Sequence, residues 1–328
     1  MQNRIHENGD VTGTLLDLLV LLAGAALLTG GAEAFAEHIG EAASRLGVSV
    51  LALGILLAGA EPEEAVTAML ASARGYPELA AGDAIGANLV ILTLTVGLAA
   101  LLAPLPVGRR VVEYAAAAAV AGALAVGLLW DGTLGRPEST LLLVAYVAGV
   151  VWVWRREKEP PLLGELAELA EEEDGDEEEE STSRALVFVA LGLVGMVSGG
   201  FLAVRGAEGL VGAFGATESV VGLTVLALAT SAEMIALVIA AHRRGVTEVA
   251  LAGAVGSVAY NATVSLGLAG LVEPLRLGDG SPVLVVGVVT ALLPLVLLAG
   301  RRTGHFPRPL GFGLVAAYAA ALAWLLVG

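Results

Sequence analysis

The chain has 328 residues, of which 57% are hydrophobic and 15% charged, and its mean hydropathy is +0.83. Because charged residues make up about 25% of an ordinary soluble domain, this composition excludes a soluble globular protein. The net charge of −16 argues against a nucleic-acid partner, and the absence of cysteine excludes disulfides and thiolate metal sites.

Apolar runs of about 20 residues, the length needed to cross a bilayer, recur along the whole chain. The sequence therefore predicts an all-α integral membrane protein with about ten transmembrane helices. The first run also has the length of a signal peptide, but a similar segment recurs in the second half, so we interpret it as a span. The predicted spans are 12–34, 47–71, 80–103, 110–130, 137–155, 184–204, 217–242, 248–272, 281–300 and 308–327.

The two halves of the chain match each other when the sequence is slid along itself. In a first register Gly31-Ala32-Glu33 falls on Gly206-Ala207-Glu208, and in a second register, further along the chain, Glu63 falls on Glu233. Each half holds five predicted spans, and an odd number makes the second half enter the membrane from the opposite side. The sequence therefore predicts two inverted five-helix repeats, as in many secondary transporters, whose site lies near the midplane at the repeat interface.

The joint between the two repeats is strongly acidic. Residues 157–180 contain 13 of the 33 acidic residues and one basic residue. Such a run is typical of a solvated tether, and regulatory cation binding is the alternative interpretation. We therefore expect a first repeat at 1–156, an acidic linker at 157–183 and a second repeat at 184–328.

The basic residues are divided unequally between alternate joints. Twelve of the 17 Lys and Arg residues fall in one set of joints and five in the other. Because positively charged joints remain on the cytoplasmic side, the sequence predicts a multi-pass protein of the cell membrane with both termini extracellular and the acidic linker cytoplasmic.

Four carboxylates lie well inside predicted spans: Glu61, Glu63 and Glu64 in the second, and Glu233 in the seventh. A charge at the bilayer centre costs about 2.5–3.5 kcal/mol on insertion scales, so such a residue is a functional candidate by default. The repeat singles out Glu63 and Glu233, which are equivalent and would together supply the hard oxygen ligands that Ca²⁺ prefers. A glutamate neutralised by a proton or by arginine is the alternative, but these two spans contain neither Lys nor Arg.

Polar neighbours complete the predicted cation site. Pro62 should open the second helix and free carbonyl oxygens. Hydroxyls precede Glu233, and amide oxygens occur in the third and eighth spans; hydroxyls bonded to their own helix and amides that pack helices are the alternatives. The predicted metal ligands are Glu63, Glu233, Thr230, Ser231, Asn88 and Asn261.

These motifs resemble those of the calcium/cation antiporter superfamily, which includes sodium/calcium and proton/calcium exchangers. The motifs are Gly59-Ala60-Glu61-Pro62-Glu63-Glu64 with Gly86-Ala87-Asn88 in the first repeat, and Ala229-Thr230-Ser231-Ala232-Glu233 with Gly256-Ser257-Val258-Ala259-Tyr260-Asn261 in the second. The segments 47–54 and 222–229 are similar to the family's lead-in. The resemblance implies a ten-helix exchanger with Glu63 and Glu233 as principal ligands, Thr230 and Ser231 as secondary ligands and Asn88 as an auxiliary one.

The predicted function is secondary antiport of calcium, or a related cation, against sodium or protons. A sodium/proton exchanger that does not carry calcium is the nearest alternative. An intramembrane enzyme is less favoured because we find neither a nucleophile with its base nor a histidine cluster, and a scaffold without transport is less favoured because of the inverted repeat. We expect no cofactor, and we expect inorganic cations and the lipid bilayer as partners.

Overall fold

The computed structural model describes residues 2–45, 61–102, 105–157, 182–235, 238 and 247–327. The lead-in 47–54 and residues 158–181 of the acidic linker lie outside this part of the chain. The described residues are mostly helical, which confirms the all-α membrane fold.

The described helices correspond in order to the predicted spans. They are α1 (Gln2–Arg45), α2 (Pro62–Ala73), α3 (Pro77–Leu89, Val90–Thr95 and Val96–Leu102), α4 (Arg109–Leu128), α5 (Arg136–Glu157), α6 (Thr182–Phe214), α7 (Glu218–Val221, Gly222–Leu226 and Ala227–Thr230), α8 (Thr247–Tyr260, Asn261–Ser265 and Leu266–Val272), α9 (Val283–Leu292 and Leu293–Gly300) and α10 (Arg308–Val327).

Eight of these helices are long and apolar enough to cross a membrane. The other two, α2 and α7, are shorter. Residues 46–60, before α2, lie outside the described part of the chain. After α7 come a turn at Ser231 and helical residues 232–235, and of residues 236–246 only residue 238 is described. Helix α6 extends to Phe214 rather than to the predicted end at residue 204, because the segment beyond residue 204 continues to pack against α1.

Helices α1 and α6 run in opposite directions and approach through glycine residues. A Cβ atom built on Gly24 would collide with the backbone nitrogen of Ala203, and one built on Gly199 would collide with the backbone nitrogen of Leu28. These two contacts are equivalent under the repeat, because the first register of the match places Gly24 on Gly199 and Leu28 on Ala203. The inverted repeat is therefore visible in the packing as well as in the sequence.

A second pair of contacts obeys the same relation. A Cβ on Gly31 would lie 2.5 Å from the nitrogen of Met196, and a Cβ on Gly206 would lie 2.5 Å from the nitrogen of Leu21. Since a side chain at any of these glycines would collide with backbone atoms, only glycine allows the two helices to come this close.

Two short antiparallel pairings fix the helix ends on each face of the membrane. Strand β1 (Leu105–Pro106) pairs with β4 (His305–Phe306), and β2 (Thr133–Leu134) pairs with β3 (Leu275–Arg276). Helix α4 crosses between β1 and β2, so the two pairings lie on opposite faces. The joint after α3 thus shares a face with the joint after α9, as alternation of the spans requires.

An ion pair connects the α1/α6 pair to the rest of the protein on the β2/β3 face. The guanidinium of Arg74, between α2 and α3, donates two hydrogen bonds to the carboxylate of Glu208 on α6, one of them 2.8 Å long. The same guanidinium lies 4.7 Å from the ring centre of Phe201. Glu33, the repeat equivalent of Glu208, is exposed, so the two faces of the molecule differ.

The close approach of α1 and α6 can be tested with Gly24→Ala. The added methyl meets backbone atoms that cannot move aside by a rotamer change, and we expect a loss of about 1–3 kcal/mol of stability. Gly30→Ala on the same helix, where nothing lies within 4 Å, should be neutral or stabilising by up to about 1 kcal/mol. Thermal melting of both variants in one detergent checks this, and equal melting temperatures would contradict the packing.

Candidate cation-binding site

Helix α7 is interrupted at a position that is equivalent to the start of α2 in the first repeat. Helix α2 begins at Pro62, and Glu61 before it has φ −107° and ψ 80°. Helix α7 ends at Thr230, followed by Ser231 with φ −86° and ψ 6°. The second register of the repeat match places Glu61 on Ser231. Interrupted helices expose backbone groups and are tolerated inside a membrane only where protein or a cavity surrounds them.

The neighbouring helices contain π-helical turns, which often mark functional sites. The turn Asn261–Ser265 of α8 is equivalent to residues 91–95 within the turn Val90–Thr95 of α3. The two residues predicted to supply amide oxygens lie at these turns: Asn88 precedes the turn of α3, and Asn261 is the first residue of the turn of α8.

Four carboxyl groups of the first repeat are buried near the start of α2 and the interruption of α7. The exposed fractions are 2% for Glu61, 4% for Glu63, 1% for Glu64 and 0% for Asp83. Glu233 of the second repeat is only partly buried. The two repeats therefore contribute unequally: most of the acid groups come from the first.

The second repeat contributes hydrogen-bond donors to three of these carboxyl groups. The Asn261 side-chain amide donates to Glu61 Oε2 over 2.9 Å, the Ser231 hydroxyl donates to Glu64 Oε1 over 3.0 Å, and the Thr230 hydroxyl donates to Asp83 Oδ1 over 3.3 Å. These bonds join the repeats across their interface.

Asn88 makes a similar connection in the opposite sense. Its amide nitrogen donates to the carbonyl oxygen of Val258 over 3.2 Å. Val258 is the residue of the second repeat that is equivalent to Asn88. Its amide oxygen is buried without a hydrogen-bond partner among the described residues. The Asn261 amide oxygen accepts from the Ser265 hydroxyl over 3.1 Å.

Several buried oxygens at this interface have no hydrogen-bond partner within the described ranges. They are Glu61 Oε1, Glu63 Oε2, Glu64 Oε2, Asp83 Oδ2, Asn88 Oδ1 and Glu233 Oε2. Buried polar atoms in folded proteins are almost always paired, and unpaired oxygens gathered in one region match the ligand chemistry of a hard cation. None of the ion pairs within the described part of the chain includes these carboxylates.

The carboxyl groups influence one another across the interface. Among the acidic neighbours of Glu63, Glu233 acts most strongly, followed by Glu61. Among those of Glu64, Asp83 acts most strongly, followed by Glu61 and Glu63. Within the described residues, no three His, Cys, Asp or Glu side chains converge closely enough to hold one metal ion together, so the acid groups are spread over the interface in pairs.

The structure brings the predicted ligands to one region. Glu63, Thr230, Ser231, Asn88 and Asn261 are all buried at the repeat interface, and Glu233 is the strongest acidic neighbour of Glu63. Their role as ligands stays a prediction.

Asp83 is a candidate that the sequence reasoning missed. The predicted third span begins at residue 80, which places Asp83 within its first turn, near the membrane surface. In the structure α3 begins earlier, at Pro77, so Asp83 lies deeper in the helix. The available signal was an aspartate close to two glycines in an otherwise apolar run. Gly82 and Gly86 let α7 approach, because a Cβ on either would lie 2.9 Å or less from α7 atoms, and this brings Asp83 to Thr230.

The inverted repeats, the interruption of α7 and the acidic residues buried at the repeat interface define a class, the secondary membrane transporters built from inverted repeats. The family model described as "Sodium/calcium exchanger protein" matches residues 12–155 and again residues 184–327. The chain belongs to this family, whose members are ion exchangers rather than enzymes.

Individual relatives agree with this family. The "Putative antiporter CaxA" of Alkalimonas amylolytica is 27% identical over 302 residues, covering 88% of this chain and 92% of the relative. The "Inner membrane protein YrbG" of Escherichia coli (strain K12) is 26% identical over 325 residues, covering 95% of each.

Two solved structures share the fold. The H⁺/Ca²⁺ exchanger CAX aligns with a TM-score of 0.68 at 17% identity, over 96% of this chain and 82% of that chain. The sodium-calcium exchanger NCX_Mj aligns with a TM-score of 0.59 at 23% identity, over 94% of this chain and 99% of that chain.

The contact between Thr230 and Asp83 can be tested with Thr230→Val. The Thr230 hydroxyl lies 3.3 Å from Asp83 Oδ1 and also 3.2 Å from the Leu226 carbonyl oxygen of its own helix. The change removes the donor within reach of Asp83 Oδ1, and leaving a buried acceptor unpaired costs about 1–3 kcal/mol. The matched control is Thr224→Val on the same helix, since the similarly buried Thr224 hydroxyl donates to the Val220 carbonyl oxygen of its own helix. We expect Thr230→Val to melt at a clearly lower temperature than Thr224→Val, and the reverse order would contradict the assigned contact.

Proposed function

We propose that this protein is a secondary active antiporter that exchanges calcium, or a related cation, for sodium or protons. The observation that carries the proposal is the pair Glu63 and Glu233. The two residues occupy equivalent positions of inverted repeats, Glu233 is the strongest acidic neighbour of Glu63, and each has a buried carboxylate oxygen without a hydrogen-bond partner among the described residues.

In this proposal Glu63 and Glu233 supply the charged ligands near the bilayer midplane. The unpartnered Asn88 amide oxygen completes the coordination, together with oxygens of Thr230, Ser231 and Asn261. Hydroxyl groups have two acceptor lone pairs and rotate freely, so Thr230 and Ser231 can turn from donating to a carboxylate to binding a cation. Backbone carbonyls at the start of α2 and at the interruption of α7 bring the number of oxygens toward the 6–8 that Ca²⁺ takes.

The cost of leaving this site without cations favours exchange over one-way leakage. Two carboxylates in a low-dielectric interior repel each other, and each is costly to desolvate. When calcium leaves, sodium ions or protons therefore take its place before the site changes sides. The two structural relatives, a sodium-calcium exchanger and an H⁺/Ca²⁺ exchanger, are named for these two counter-ions.

The proposal includes the repeat boundaries and the orientation of the chain. The first repeat is 1–156, the acidic linker 157–183 and the second repeat 184–328. The twelve-to-five division of Lys and Arg places the linker in the cytoplasm and both termini outside. The β1/β4 pairing then lies on the cytoplasmic face and the β2/β3 pairing on the outer face.

Replacing either principal carboxylate tests the site. Glu63→Gln and Glu233→Gln remove charge at nearly constant volume, and we expect each to abolish calcium uptake into proteoliposomes. Glu113→Gln is the matched control, since Glu113 is at a helix end and paired with Arg109, and it should transport like the wild type. Wild-type uptake rates in both principal variants would contradict the site.

The counter-ion can be read from the driving gradient. We expect calcium uptake under an outward gradient of one ion, sodium or protons, and none when both gradients are absent. If sodium moves against protons and calcium does not compete, the protein is a monovalent cation exchanger instead.

A further inference from the structure

Besides Glu61, two buried carboxyl groups, Glu64 and Asp83, have no part in the exchange mechanism proposed above. Glu64 and Asp83 are 1% and 0% exposed, yet neither has an acidic repeat equivalent. The second register of the repeat match places Glu64 on Met234 and Asp83 on Gly253. The inverted symmetry therefore does not account for them, although each costs about as much to bury as Glu63.

The two carboxyl groups are held by hydroxyls that neighbour each other in the chain. Adjacent residues of the second repeat bond to them: the Thr230 hydroxyl donates to Asp83 Oδ1 over 3.3 Å and the Ser231 hydroxyl donates to Glu64 Oε1 over 3.0 Å. Asp83 is also the acidic neighbour that acts most strongly on Glu64.

A separate observation indicates that this pair lacks a ligand. The second oxygen of each carboxylate, Glu64 Oε2 and Asp83 Oδ2, is buried and has no hydrogen-bond partner among the described residues. No ion pair within the described part of the chain includes either group. Two unpaired carboxylate oxygens and two rotatable hydroxyls form a set of hard oxygen ligands.

This set neighbours the Glu63/Glu233 pair but has different members. Glu233 is the acidic neighbour that acts most strongly on Glu63, and Glu64 is influenced most by Asp83 and then by Glu61 and Glu63. Because no three acidic side chains among the described residues converge on one point, a single ion cannot draw on all of these carboxylates in this conformation.

We propose that Glu64 and Asp83, with the hydroxyls of Thr230 and Ser231, form a second binding site for a hard alkali or alkaline-earth cation. The inference rests on the proposed function, because it adds a second ion to the same exchange pathway. Because the proposed function also uses Thr230 and Ser231 as ligands of the first cation, a hydroxyl that turns toward one cation is lost to the other. Occupancy of the second site therefore changes affinity at the first.

The test is the number of cations bound per chain at saturation. Purified full-length protein is titrated with radioactive Ca²⁺ in one arm and radioactive Na⁺ in the other, for the wild type, Asp83→Asn, Glu64→Gln and their double variant. Asp83→Asn keeps the shape and the acceptor for Thr230, and Glu64→Gln reports independently of it. Glu113→Gln serves as the charge-matched control.

We expect each single variant to bind one cation fewer per chain than the wild type in at least one arm, and to retain binding at the first site. The double variant should lose the same single cation rather than two, since both residues belong to one site. Unchanged binding in both arms for both single variants would overturn the second site while leaving exchange through Glu63 and Glu233 intact. If the wild type bound neither ion and did not exchange them, the proposed function itself would fail, and the second site with it.

Discussion

The structure depends on burying four carboxyl groups of one repeat in a membrane interior without a basic side chain paired to them in the described residues. Each charge costs about 2.5–3.5 kcal/mol on insertion scales, and four together approach the whole unfolding free energy of a typical domain. Hydrogen bonds from the second repeat offset part of this cost. The oxygens that stay unpaired among the described residues are left for the protons or cations of the proposed exchange.

The inverted repeat explains why polar groups of both halves meet at one interface, but it does not explain why most of the carboxyl groups come from the first repeat. The glycine contacts between α1 and α6 and the two strand pairings obey the two-fold relation closely. The acid groups do not, because the first repeat supplies Glu61, Glu63, Glu64 and Asp83 and the second supplies Glu233 with donors. A symmetric scaffold thus holds an asymmetric site, in which carboxylates on one side face hydroxyls and an amide on the other.

The faces of the molecule are asymmetric as well. Glu208 is paired with Arg74 on the β2/β3 face, whereas its equivalent Glu33 is exposed. Glu63 is buried, whereas Glu233 is partly exposed. In the proposed exchange, interchange of the arrangements of the two repeats moves the opening from one side of the membrane to the other.

Much of this architecture was predictable from the sequence. Apolar runs of about 20 residues indicated the helices, and the self-match indicated the inverted repeats, because burial in lipid constrains every residue of a span. The start of α2 at Pro62 agrees with the missing backbone donor of proline. The equal burial of Glu61, Glu63 and Glu64 and the contact of Asp83 with Thr230 were not predictable, because they depend on how closely α3 and α7 approach, which residues far apart in the chain decide together.

The central claim is that carboxylates of both inverted repeats bind one transported cation. Anomalous diffraction from crystals soaked in Sr²⁺, an electron-dense homologue of Ca²⁺, tests it most directly. The account predicts an anomalous peak within coordination distance of both Glu63 and Glu233. A protein that exchanges cations but shows its peaks only beside carboxylates of one repeat would contradict it.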